Sequence, residues 1–163
     1  MTRIYNILFL CTGNSARSIM AEALLNHHGM GRFRGFSAGA RPAGSVNPLT
    51  LRTLGIAGLP TAGLESKGWD LFAEPGAPEM DFIFTVCDNA AGEQCPAWPG
   101  HPTTAHWGFP DPTTATGTEA ERLAVFADVF RQIDRRIELF CALPLEGLDR
   151  LAAKRAVDGL GVR

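Results

Sequence analysis

The chain has 163 residues, 45% of them hydrophobic and 20% charged, with a formal net charge of −2. That length fits a single domain, 1–163, with a hydrophobic core of its own. The near-neutral balance excludes binding driven by nucleic-acid or anionic-lipid phosphates, and no apolar run is long enough to cross a bilayer. The N-terminus lacks the basic, apolar and small-residue order of a secretion signal, which places the chain in the cytoplasm, where thiols stay reduced.

Strand-like and helical runs alternate. Ile4–Leu10 reads as a buried strand and Ser18–Asn26 as a helix whose apolar face carries Ile19, Met20, Ala23 and Leu24. A short strand is expected over Arg32–Ser37, a helix over Asn47–Leu54 with Pro48 in its first turn, and a very apolar strand over Asp81–Cys87. The stretch from Asp88 to Gly117 is rich in Gly and Pro, with one short strand near Thr103–His106. A loop region of that length in a compact domain is usually functional. Thr118–Phe140 is the clearest helix: Thr118 and Glu121 form a capping-box pair, and Leu123, Phe126, Phe130, Ile133, Ile137 and Phe140 make one apolar stripe. A last helix is expected over about Gly147–Asp158. This alternation predicts an α/β fold, a parallel sheet doubly wound with helices on both faces. Ligands of such sheets bind at the carboxyl ends of the strands, where Cys11, Ser37 and Cys87 all fall.

The four cysteines are Cys11, Cys87, Cys95 and Cys141. None lies in a Cys/His cluster with zinc-ligand spacing, so neither a metal nor another cofactor is expected. Cys141 reads as core. Cys11 opens a Cys-x5-Arg-Ser loop, Cys11-Thr12-Gly13-Asn14-Ser15-Ala16-Arg17-Ser18, directly behind the first strand. Thiolate, not thiol, is the nucleophile. A helix N-terminus, Arg17 and the Ser18 hydroxyl are each expected to lower the Cys11 pKa. Gly13 and Asn14 tolerate left-handed backbone, so the amides of Thr12, Gly13, Asn14, Ser15, Ala16 and Arg17 can turn inward as an anion nest. Arg17 can grip two oxygens of a tetrahedral oxyanion at once.

The run Cys-Thr-Gly-Asn-Ser-Ala-Arg-Ser-Ile-Met-Ala-Glu-Ala resembles the N-terminal signature of the low-molecular-weight protein tyrosine phosphatase superfamily, which includes the thioredoxin-coupled arsenate reductases. The resemblance continues at Ser37-Ala38-Gly39 and at His106-Trp107-Gly108-Phe109-Pro110-Asp111-Pro112, covering about Ile4 to Phe140. It implies a four-stranded parallel sheet, with Ser37 supporting Asn14 and Asp111 acting as general acid. By itself, Asp-Pro reads only as a turn former.

Two further thiols divide the superfamily. A phosphatase needs only Cys11, Arg17 and Asp111, whereas a reductase must move two electrons. The resemblance implies that Cys11 attacks arsenate, Cys87 attacks Cys11 to release arsenite, and Cys95 attacks Cys87 to give a disulfide that a partner reduces. That relay requires movement of the segment 88–95. The gap between Cys87 and Cys95 is slightly longer than in the best-known members, which leaves the donor open between thioredoxin and glutathione with glutaredoxin. Some reductases of the group bind potassium beside the loop. Asn14, Glu22 and Ser37 match that set, but Lys67 stands where its acid is, so its ammonium is expected to replace the ion. Against a phosphatase, Thr113 and Thr114 follow Asp111-Pro112 where aromatics flank a phenyl ring, and Ser15 and Ala16 replace a larger apolar residue and a second cysteine. Trp69, Trp98 and Trp107 read as packing anchors. The leading expectation is thus an arsenate reductase taking an arsenate or phosphate oxyanion. The alternatives are a phosphatase acting on phosphotyrosine or small aryl phosphates, and a non-catalytic oxyanion or thiol sensor.

Overall fold

The computed structural model of the chain describes residues 3–87 and 98–161. Among them four strands form one parallel sheet: β1 (Tyr5–Cys11), β2 (Phe33–Gly39), β3 (Phe82–Thr85) and β4 (Thr103–His106), in the order β2-β1-β3-β4. Four α-helices accompany them: α1 (Arg17–His28), α2 (Pro48–Ile56), α3 (Glu119–Cys141) and α4 (Arg150–Gly161). The expected elements are present with shifted ends. β3 is shorter than the apolar run that encodes it, because β1 gives it partners only from Ile7 to Leu10. Val86 and Cys87 stay buried beyond the ladder. The last helix starts later than expected, since Leu145–Gly147 form a separate 3-10 turn.

Alternation along β1 sorts the core into two layers. Tyr5, Ile7, Phe9 and Cys11 face α1, α3 and α4, together with Phe33, Phe82 and Phe84. Leu8 and Leu10 face the other side, where the 3-10 helix Trp69–Phe72 covers them with Ala38, Met80 and Ile83. The first layer is strongly aromatic. Trp107 is fully buried and stacks on Phe84 with ring centroids 3.9 Å apart, and Phe140 of α3 meets Phe33, Phe82, Phe84 and Trp107. Each such ring contributes about 1.5–3 kcal/mol through burial alone. Trp69 and Trp98 meet edge to face on the other side.

α3 begins as its sequence dictates. The Glu121 amide donates to the Thr118 hydroxyl at 3.1 Å, and the Thr118 amide donates to Glu121 at 3.2 Å. α4 closes the edge of β4, where Trp107 Nε1 donates to the Val157 carbonyl at 2.9 Å and Lys154 to that of Thr104. The β2 edge is blunted by Asn26, whose amide pairs with both backbone groups of Gly35 at 2.8 and 3.2 Å. With both outer strands engaged, the carboxyl ends of the central strands remain the place where loops gather.

Candidate active site

The loop between β1 and α1 is built by satisfying its carbonyls from outside. The Cys11 carbonyl accepts from the Ala40 amide (3.3 Å), Thr12 from Arg41 (2.9 Å) and Gly13 from Ala43 (2.9 Å). Gly13 also accepts from the Ser66 hydroxyl at 3.1 Å. Ser15 accepts from the Asn47 amide at 3.0 Å and the Thr50 hydroxyl at 2.9 Å. With the oxygens turned outward, the loop's N–H groups are left to face inward. Asn14 provides the reversal: its φ is +47°, and its amide donates to Cys11 Sγ at 3.3 Å. Gly39 passes so close behind the loop that a Cβ there would lie 2.5 Å from the Thr12 carbonyl oxygen. No side chain caps the first turn of α1.

Ser18 and Asn14 are fully buried beside the sulfur. Ser18 Oγ lies 2.9 Å from Cys11 Sγ and accepts from Asn14 Nδ2 at 2.8 Å. Ser37 differs from expectation. It does not hold Asn14; its hydroxyl donates to Glu22 at 2.5 Å, because its place on β2 faces α1 rather than the loop. Asn14 Oδ1 is instead held by the Lys67 amide at 2.9 Å. Lys67 Nζ lies 3.7 Å from the same Glu22 carboxylate. Burial pushes the Glu22 pKa up, and Ser37 and Lys67 pull against it. The Lys67 amine thus stands beside the Glu22 carboxylate that also accepts from Ser37, at the place where the amine was expected to stand in for an ion.

Cys87 and Cys11 are both thiols and both buried, and Cys87 Sγ is held against Thr12, the residue that follows Cys11. The Thr12 amide donates to Cys87 Sγ at 3.3 Å, and the Thr12 hydroxyl lies 3.7 Å from it. The nearness of Cys87 works against the expected acidity of Cys11. Its pKa is pushed well above the usual thiol range, first by the neighbouring Cys87 thiol and next by burial, while Ser18 pulls it down by less. Two neighbouring buried sulfurs cannot both ionise without strong repulsion.

Arg17 does not lie over the sulfur alone. One terminal nitrogen donates to the Phe109 carbonyl at 3.0 Å, and the other lies 3.4 Å from Asp111 Oδ2. The opposite oxygen of Asp111 accepts from the Thr113 amide at 2.9 Å and hydroxyl at 2.6 Å. Cys11, Arg17, Cys87 and Asp111 therefore converge on one sheet edge. Cys95 and the segment 88–95 expected to move lie in or across the undescribed residues 88–97. Sequence reasoning missed Phe109, Ser66 and Thr50. Only Phe109 carried a signal, its place before the rigid Pro110-Asp111-Pro112 run.

The family model described as low molecular weight phosphotyrosine protein phosphatase matches residues 6–154. The chain belongs to that family. Within it, an arsenate reductase of Shouchella clausii is 39% identical over 134 residues, which span 82% of this chain and 93% of that protein. Among solved structures, one of an arsenate reductase in the phosphate binding state matches with a TM-score of 0.69 at 26% identity, over 85% of this chain and 97% of that one. An arsenate reductase from Archaeoglobus fulgidus matches with a TM-score of 0.66 at 27% identity, over 84% and 99%. The four-stranded parallel sheet is the fold shared with these relatives. No helix among the described residues is long and apolar enough to cross a membrane.

Proposed function

We propose that this chain reduces arsenate to arsenite, with Cys11 as nucleophile and Cys87 as the second thiol. The observation that carries this reading is a second buried thiol beside the nucleophile, with the Thr12 amide donating to Cys87 Sγ at 3.3 Å. Hydrolysis needs no second sulfur there; reduction does. The relatives named as arsenate reductases support the same reading.

The oxyanion binds among the amides from Thr12 to Arg17, with Arg17 turning two of its donors onto it. A neutral Cys11 thiol spares the arriving dianion an encounter with a thiolate, and its proton passes to the bound anion as sulfur attacks arsenic. Asp111 delivers a proton to the departing oxygen, which leaves as water, and arsenic remains pentavalent. Cys87 then passes its proton to an oxygen of the bound arsenic and attacks the Cys11 sulfur as thiolate. A sulfur–sulfur bond forms, the sulfur–arsenic bond breaks, and its electron pair stays on arsenic, which leaves as arsenite. Cys95 attacks Cys87 and frees Cys11 as a thiolate. The Cys87–Cys95 disulfide is reduced by a thiol donor, thioredoxin or glutathione with glutaredoxin, in a reducing cytoplasm.

The test compares arsenate-dependent thiol oxidation with aryl phosphate hydrolysis. Cys11→Ser is expected to abolish both, and Cys87→Ser to abolish turnover of arsenate while sparing the phosphatase reaction. If Cys87→Ser reduces arsenate at the wild-type rate with thioredoxin as donor, the relay is wrong. If wild type turns over aryl phosphate but leaves arsenate unreduced, the chain is a phosphatase.

A further inference from the structure

We infer that Arg136, in the C-terminal half of α3 and outside the oxyanion loop, is a positioning residue that aims Arg17 through Phe109. The Arg136 guanidinium lies over the Phe109 ring, 4.7 Å from its centroid, and 5.9 Å from that of Trp107. Trp107 is a fixed wall, stacked on Phe84 and tied by its amide to the Thr85 carbonyl at 2.7 Å. Phe109 is buried beside it, and its peptide groups reach the site on both sides. Its amide donates to the carbonyl of Val86, the residue before Cys87, at 3.2 Å. Its carbonyl accepts from Arg17 at 3.0 Å.

Pro110 follows Phe109 and restricts its backbone to extended conformations. The seat of the ring and the direction of the carbonyl are therefore linked. A planar cation over the ring face holds that seat in a way that an aliphatic side chain of equal reach does not. Burial lowers the Arg136 pKa, which marks a charge kept in place at a desolvation cost. Held in this way, the Phe109 carbonyl fixes one side of the Arg17 guanidinium at 3.0 Å, and its other terminal nitrogen, now 3.4 Å from Asp111 Oδ2, is the one left to turn to an arriving anion.

This inference rests on the reading of Cys11–Ser18 as an oxyanion site, so its test uses inorganic phosphate as the probe, independent of any reaction. Calorimetric titration would compare wild type with Arg136→Met, Arg136→Lys, Phe109→Leu and the double variant Arg136→Met/Phe109→Leu, with thermal midpoints measured alongside. Arg136→Met is expected to weaken phosphate about 5-fold, the scale of one cation–ring contact, and to raise the arsenate KM more than it lowers kcat. Arg136→Lys keeps the charge without the plate and is expected to fall between. The double variant should bind no worse than Phe109→Leu. Phosphate affinity within twofold of wild type in Arg136→Met and Arg136→Lys, whatever their midpoints, overturns the inference, as does full additivity in the double variant. Should Arg136→Met not fold, Arg136→Lys and Phe109→Leu decide: unchanged phosphate affinity in both overturns it. Failure of wild type to bind phosphate at all would instead remove the oxyanion-site reading on which it rests.

Discussion

The loop at Cys11–Ser18 and the segment from Trp107 to Thr114 face each other across the same volume but are held by different means. The first is fixed by backbone: its carbonyls are taken by Ala40, Arg41, Ala43 and Asn47 amides, with hydroxyls from Thr50 and Ser66. The second is tied to Thr85 of β3 and to Val86 by the Trp107 and Phe109 amides, but beyond them it hangs on side chains, with Phe109 under Arg136, Asp111 between Thr113 and Arg17, and Arg17 itself shared by both regions. On the proposed reading, backbone bonds to several neighbours make an anion nest that is built before any anion arrives. On the same reading, side-chain bonds to a single arginine hold a proton donor, Asp111, whose setting changes when that arginine turns to a substrate. The difference separates binding from chemistry, and substitutions in the two regions should fail in different ways.

The largest effect is expected on the acid side. Asp111→Asn should lower kcat for arsenate by about 10³ while phosphate binds as tightly as in wild type or tighter, since a negative neighbour of Arg17 is gone. A loss of phosphate affinity as large as the loss of rate would place Asp111 in the nest instead. Next comes Gly39→Ala. Its Cβ would lie 2.5 Å from the Thr12 oxygen, so the loop must shift, and kcat/KM should fall about 100-fold with phosphate affinity falling alongside. Unchanged phosphate affinity there would show that the nest is not preset by its backbone surroundings. Thr113→Val removes one hydroxyl bond to Asp111 and should cost about 5-fold in kcat, readable in steady-state kinetics; no change would mean that the Thr113 amide suffices.

Much of the loop was legible because it is local. A strand, a Cys-x5-Arg-Ser turn and a helix start are contiguous, and the Asn14 reversal and the Ser18 contact follow from residue type. Thr118 and Glu121 were equally readable, since a helix cap depends on four neighbouring residues. The acidity of Cys11 was not, because its two main causes, Cys87 and burial, arise only when β1 and β3 pair. Nor was the partner of Ser37: sequence order does not say that β2 turns that hydroxyl toward Glu22 of α1, leaving Asn14 to the Lys67 amide.

Lys67 gives a smaller test of the same division. With its ammonium 3.7 Å from Glu22, arsenate turnover should be equal in potassium and sodium salts at matched ionic strength; a stimulation by potassium greater than about twofold would show that the amine does not replace a cation. The smallest effect concerns Cys141, where burial raises the thiol pKa to about 11. A thiol raised in the folded chain favours folding while protonated and loses that contribution as pH climbs from its ordinary value near 9 through 11. The thermal midpoint of wild type relative to Cys141→Ala should therefore fall between pH 8 and about 11. A constant difference would place this thiol in contact with solvent.

The most direct measurement takes the reduced Cys95→Ser variant, adds one equivalent of arsenate without any other thiol, and follows arsenite release together with peptide mapping of the cysteines. A second buried thiol beside Cys11 predicts close to one arsenite per chain and a disulfide joining Cys11 to Cys87. Arsenite without that disulfide, or neither product from a variant that still binds phosphate, would contradict the central claim that Cys11 and Cys87 together carry the two electrons.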